Sequence, residues 1–226
     1  QDRLWQMELI RRIAAGRLSE IFGEKLIDTD KFMSGLGIEE SAQKTIQNLD
    51  KSSEMYQLSM AYLDGINQYI ADGKTPVEFT IVGVEKEMYT LKDMYNVFGY
   101  MAFSFAVAHK TDPLLSEVKE TLGENYLNEL IDAESHNLTF IKSEKNPEIK
   151  AAFGVAMQKL FEALPISPFI GSNSWVLGPE KTKNGKVIFA NDPHIGYSQP
   201  SVWYQSHIKT PDYELYGFNL ALIPFP

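Results

Sequence analysis

Apolar residues recur along the first two-thirds of the chain at the three- and four-residue spacing of one helix face. Leu4, Met7, Ile10, Ala14, Leu18 and Ile21 form the first series and predict one helix running to a C-cap at Gly23. Met55, Leu58, Tyr62, Ile66 and Tyr69 predict a second over 53–71, closed by Asp72-Gly73. Met94, Val97, Phe98, Met101 and Phe105 predict a third, opened by Thr90 and Asp93 at capping spacing. Two more helices are expected over 114–131 and 147–164, the latter with Pro147 in its first turn.

The pattern changes at Pro165. Pro165 and Pro168 break any helix, and from Ser172 the chain turns to short β-prone runs. Trp175-Val176-Leu177 and Val187-Ile188-Phe189 flank Asn184-Gly185, the strongest short hairpin signal. Further strands are expected over 202–208 and 213–222. The fold class is therefore α+β, a helical segment 1–171 joined to a sheet segment 172–226. The chain opens directly on a helix and ends at Pro226 beside a strand with an unpaired edge, so an incomplete fragment is expected.

Composition narrows the function. Apolar residues make up 44% of 226, enough for a real core. A net charge of −9 without any Lys/Arg cluster argues against nucleic-acid partners. The absence of cysteine excludes thiol catalysis, disulfides and thiolate metal sites. The longest apolar stretch, Val97 to Ala108, is shorter than the roughly 20 residues of a membrane span, and no signal peptide is visible.

Candidate chemistry centres on Gly171-Ser172-Asn173-Ser174-Trp175, at the junction of the two textures. A serine hydroxyl needs a base. If the chain is cut before Ser172, the new α-amine, with a pKa of about 7.7–8.0, becomes that base within the same residue. Gly171 leaves room for Ser172 to attack its own upstream carbonyl and so make the cut. Taken alone, Gly-Ser before a strand is a very weak signal, and its first reading is a loop glycine and a strand-capping serine.

The surrounding motifs change that reading. Gln1-Asp2-Arg3-Leu4-Trp5-Gln6-Met7-Glu8, Tyr62-Leu63-Asp64-Gly65-Ile66-Asn67, Ser172-Asn173-Ser174-Trp175 and Asn191-Asp192-Pro193-His194 stand in one order along the chain. In that order and spacing the chain resembles the penicillin acylase family of N-terminal-nucleophile hydrolases. The resemblance covers nearly the whole sequence. It implies an incomplete αββα sandwich, cleavage between Gly171 and Ser172, Ser172 as catalytic nucleophile, and His194 beside it. It further implies a small acylated amine as substrate, an α/β-chain heterodimer after processing, and a periplasmic or secreted location. Met101 and Phe105 match positions that line the family's acyl pocket, although a Met/Phe pair one helical turn apart also reads as plain core. No cofactor is required. Calcium is a structural ion in many members, but the matching stretch Ala106 to Leu115 holds no glutamate and offers only Asp112 as a substitute ligand. The family's oxyanion donors are expected beyond Pro226.

Two alternatives stay open. A Ser172/His194/Asp192 triad is disfavoured because Asp192-Pro193-His194 reads as a tight turn, which makes the Asp–His contact awkward. A non-catalytic, unprocessed relative acting as a binding or scaffold protein would keep the fold without the cut. Asn173 is read as structural, pointing to the face opposite Ser172. His109, His136 and His207 fit no ligand spacing.

Overall fold

The computed structural model describes residues 2–106, 108–130, 159 and 169–224. They fall into two compact units, Gln1–Phe103 with Pro165–Pro226, and Ser104–Leu164.

In the first unit, α1 (Leu4–Ala15) is buried almost all round. It packs on α3 (Ile27–Gly35) and α4 (Ile38–Gln47). The expected single helix to Gly23 is corrected. α1 stops at Gly16, whose left-handed φ of 65° ends the helix, with the Arg17 N–H closing on the Arg12 carbonyl at 2.8 Å. A Cβ at Gly16 would meet the Asp30 carbonyl oxygen at 2.5 Å, so the turn has room only for glycine. Leu18 is wholly buried and continues the apolar series, but in the turn before α2 (Ser19–Phe22). The Asp30 carboxylate accepts the Leu18 and Ser19 N–H groups at 2.8 and 2.7 Å, satisfying donors at the start of that short helix.

The second and third expected helices form as α5 (Glu54–Asp72) and α7 (Leu91–Phe105). The Ser53 hydroxyl accepts the Tyr56 N–H at 3.3 Å at the start of α5. Thr90 and Asp93 make the reciprocal bonds of a capping box before α7, at 2.7 and 3.4 Å. Between α5 and α7 lies α6 (Val77–Val82). Gly99 lets α7 approach α4 closely, since a Cβ there would meet Ile38 at 2.6 Å. Ile13, Leu18, Met33, Leu63, Phe79, Met94 and Val97 form the centre of the core.

Four strands make two antiparallel pairs. β1 (Phe169–Leu177) pairs with β2 (Ile188–Ile195), and β3 (Trp203–Lys209) with β4 (Glu214–Leu220). Asn184-Gly185 does not form the expected two-residue hairpin. Residues 178–187 make a longer connection, with a 3₁₀ turn at Pro179–Lys181 and Gly185 at φ 64°.

The second unit holds α8 (Ala108–Leu122) and α9 (Glu124–Leu130). One helix was expected over 114–131; Gly123, at φ 90°, divides it. The helix expected over 147–164 lies outside the described residues.

The least sequence-legible feature is ionic. Glu8 is fully buried between Arg11 and Arg12, which are 3% exposed. Its two oxygens bond Arg11 Nη2 at 2.5 Å and Arg12 Nε at 2.6 Å. Glu20 and Glu87 close the outer side of Arg12 at 2.6 and 3.4 Å. The Arg11 guanidinium lies 4.2 Å over the Tyr89 ring, and the Tyr89 hydroxyl donates to Glu8 at 3.4 Å. Burial raises the Tyr89 phenol well above its ordinary value, so it stays protonated as a donor. Asn67 pins the Tyr89 backbone from both sides, accepting its N–H at 2.7 Å and donating to its carbonyl at 2.9 Å.

Removing one partner of a buried ionic cluster leaves the others uncompensated. Glu8→Gln is therefore expected to cost about 3–5 kcal/mol. Arg17→Ala, which removes a half-exposed pair with Glu20, should cost no more than about 1 kcal/mol. Urea unfolding of the two variants checks this, and equal losses would show that burial does not set the cost.

Candidate active site

Strand alternation places every residue of the candidate site. β1 carries Gly171, Ser172 and Asn173, and β2 carries Asn191 to His194. The register sets Gly171 opposite His194, Ser172 opposite Pro193 and Asn173 opposite Asp192. Directly opposed residues share a face, and neighbours along a strand alternate. Asn173, Asp192 and His194 therefore project from one face of the ribbon, and Ser172 from the other, beside Pro193. A β-bulge interrupts the register between Phe169 and Gly171, immediately upstream of the Gly171–Ser172 bond.

Asp192-Pro193-His194 is strand, not the expected tight turn. Residues two apart in a strand lie on one face, so the Asp–His contact expected to be awkward forms readily. His194 Nε2 donates to Asp192 Oδ2 at 2.8 Å. Asn173 Nδ2 lies 3.4 Å from the same ring nitrogen. That nitrogen carries one proton or one lone pair, and cannot donate to Asp192 and accept from Asn173 at once. The shorter contact assigns it to Asp192. Both side chains of the pair are about half exposed, at 47% and 61%, where ion pairs contribute little. The Asp–His half of a triad is thus present, but the register puts its imidazole on the face away from the Ser172 side chain.

The helical motifs serve the sheet in ways the sequence reading left unassigned. Arg3 and Gln6 both donate to the Ser201 carbonyl, at 2.6 and 3.1 Å, just before β3. Arg3 also lies 5.5 Å over the Tyr204 ring. Tyr62, from the second motif, bonds to Tyr204 and the Leu222 backbone, and burial raises its phenol above the ordinary value. Arg3 and Gln6, a charged and an amide residue one turn apart at the start of the opening helix, are the signal that could have exposed this clamp.

Met101 and Phe105 stand one turn apart on α7, both partly buried. An apolar cavity of about 320 Å³ lies on the same helix nearer its start, lined by Met94, Tyr95 and Phe98 together with Leu49, Met55 and Tyr56. Neither Met101 nor Phe105 lines it. Asp112 sits on α8 with its backbone carbonyl accepting from Ser116 at 2.6 Å. Among the described residues no group of three or more histidines, aspartates or glutamates meets in a way that could hold a metal. His207 pairs across β3 and β4 with Glu214 at 2.7 Å. His136 lies outside the described residues.

The family model described as penicillin amidase matches residues 1–226. An acyl-homoserine lactone acylase, QuiP, of Pseudomonas aeruginosa is 29% identical over 99% of this chain and 27% of its own length. Penicillin acylase 2 proenzyme of a Pseudomonas species is 28% identical over the whole of this chain and 30% of its own. Penicillin G acylase of Escherichia coli is 23% identical over 96% of this chain and 32% of its own. The chain thus spans about three-tenths of the length of these relatives.

Proposed function

The chain belongs to the penicillin amidase family, and on that premise we propose that it carries the nucleophile of an amidase that acts by acyl transfer from an N-terminal serine. The observation that carries the reading is the register of β1 on β2, which lays Gly171-Ser172-Asn173 against Asp192-Pro193-His194. The two motifs that carry the resemblance are thereby brought side by side by strand pairing alone.

In this reading Ser172 first attacks the Gly171 carbonyl, and the chain divides there into helical and sheet segments. The freed α-amine then takes the proton of the Ser172 hydroxyl as it attacks an amide carbonyl. The amine leaves, an acyl-enzyme remains, and water releases the acid. The complete protein is an αββα sandwich, an α/β heterodimer in the periplasm or outside the cell, and its substrate is a small acylated amine. Among the described residues, no helix is long and apolar enough to cross a membrane. Two of the relatives named above are penicillin acylases and one an acyl-homoserine lactone acylase, which supports an acylated amine as substrate, and the apolar Met101/Phe105 pair favours an apolar acyl group. Met101 and Phe105 are the residues assigned to that group.

Ser172→Ala in the full-length protein should remain a single uncut chain by intact mass, whereas the parent gives two fragments divided before Ser172. Cutting of the variant at the same bond would assign processing to a separate protease. A parent that is never cut would instead favour the non-catalytic scaffold.

Met101→Ala and Phe105→Ala should each shift the ratio of kcat/KM between short and bulky acyl chains by about 1–3 kcal/mol. An equal loss on every acyl chain would mean core damage.

The 2.8 Å Asp192–His194 bond gives the triad a structural argument, and one substitution separates the two mechanisms. With the α-amine as base, Asp192→Asn should keep most of kcat. With a triad it should lose about 10⁴-fold, as loss of the orienting carboxylate does in serine proteases. Steady-state kinetics on folded, processed enzyme decides.

A further inference from the structure

We propose that the backbone N–H of His194 is an oxyanion donor for the self-cleavage step, bonded to the Gly171 carbonyl oxygen before the reaction begins. The proposal rests on the reading of Ser172 as the self-cleaving nucleophile, and it adds the group that stabilises the charge formed in that step.

Pro193 bears on the phase of the ladder. An antiparallel ladder alternates between pairs that exchange both N–H···O bonds and pairs that exchange none. Ser172 stands opposite Pro193, which has no N–H, so an exchanging pair here would forfeit one of its two bonds and the non-exchanging phase, which forfeits none, is favoured. The neighbours on either side, Gly171 with His194 and Asn173 with Asp192, are then the exchanging pairs. Parity alone therefore aims the His194 N–H at the Gly171 carbonyl oxygen. It also aims the Asp192 N–H at the Asn173 carbonyl, one pair further from the bond to be cut.

Gly171 contributes the scissile carbonyl. When Ser172 Oγ bonds to its carbon, the π electrons move to the carbonyl oxygen and that oxygen becomes negative. A donor already in place needs no reorganisation at that moment. The tetrahedral carbon then expels the Ser172 nitrogen, which takes up the hydroxyl proton and becomes the free α-amine. The Gly171–Ser172 ester that remains is hydrolysed by water to a Gly171 carboxylic acid and a restored Ser172 hydroxyl. The His194 side chain takes no part, because the donor is its backbone, and its imidazole projects with Asp192 from the other face. The bulge between Phe169 and Gly171 sits directly upstream and spares the reacting carbonyl from a continuous regular ladder on that side.

The test removes one N–H and keeps every side chain. In the full-length protein, residue 194 is replaced by the α-hydroxy analogue of histidine, which turns the Pro193–His194 amide into an ester. In a second protein, residue 192 is replaced by the α-hydroxy analogue of aspartate, which deletes the neighbouring ladder bond to Asn173. Cleavage is followed by intact mass and by the appearance of a new N-terminal serine. The ester at 194 should slow cleavage by about 10²–10³-fold, the effect of losing one oxyanion donor. The ester at 192 should slow it by less than about tenfold, since it weakens the same strand pair without touching the scissile carbonyl. Equal slowing by the two esters, or none at 194, overturns the proposal. Ser172→Ala is followed in parallel. If it is still cut, the self-cleavage reading falls, and that result is separate from a failure of the ester comparison, in which Ser172→Ala stays intact while the 194 ester cleaves at the parent rate.

Discussion

The buried carboxylate of Glu8 is the constraint on which the first unit is built. A carboxylate with no water around it must have its oxygens filled by charge-assisted bonds. Arg11 and Arg12 fill them, and both come from the same helix at three- and four-residue spacing. Those bonds turn with α1, and its rotation is fixed where the two arginines reach Glu20, Glu87 and Tyr89 on other elements. Arg12 then has only Glu20 and Glu87 to meet on its outer side, which draws in α2 and the segment before α7. Tyr89 covers Arg11, and Asn67 holds Tyr89, so α5 is tied to the same cluster. With the face of α1 set in this way, Arg3 and Gln6 one to two turns earlier point at Ser201. A charge cluster in the helical core thus positions the backbone from which the second strand pair departs.

Much of this architecture was legible because local chemistry and periodicity agreed. α5 and α7 begin where Ser53 and the Thr90/Asp93 box place them, since a side-chain cap decides a helix start within a residue. α1 was overextended because Leu18 continues the apolar period while the backbone has already turned. Gly16 is the break, and a glycine inside an apolar series carries no mark of a positive φ. α3 and α4 escaped notice because they bury few apolar residues: α4 hides only Ile38 and Ala42. Asn184-Gly185 is a true turn signal, but it operates inside a longer connection, where Asn184 accepts the Lys186 N–H at 3.2 Å.

The residues of the candidate site could be singled out in the sequence, whereas their mutual geometry could not. Gly171, Ser172 and the Asn191 to His194 segment were singled out, yet proline suggested a turn at Asp192-Pro193-His194. Proline is admitted to a strand wherever its missing N–H is not needed by the ladder. Opposite Ser172 that condition is met, and a segment expected to bend runs straight. The change from turn to strand is what brings Asp192 and His194 onto one face and removes the steric objection to their contact. No composition or spacing argument reaches that point, because it depends on which residue faces which across the ribbon.

Register parity gives Pro193 a meaning that its side chain does not. A residue with an N–H at this position would allow the ladder to shift phase, making Ser172 itself an exchanging residue and leaving the Gly171 carbonyl without a cross-strand donor. Proline disfavours that phase, which would leave the pair one bond short. In the proposed phase it sets which carbonyl oxygens of β1 meet N–H groups of β2, and Gly171, opposite His194, is one of them. A hydrogen bond of this kind is ordinary in any sheet and contributes about 0.5–1.5 kcal/mol to stability. Its value to chemistry is larger because the charge it meets is larger. In the proposed self-cleavage, the same bond that holds a neutral carbonyl in the folded strand would meet an oxyanion as Ser172 attacks, and charge-assisted bonds are about twice as strong. Strand pairing and transition-state stabilisation are then one interaction at two stages of the reaction, and the ladder's parity is the physical basis for both.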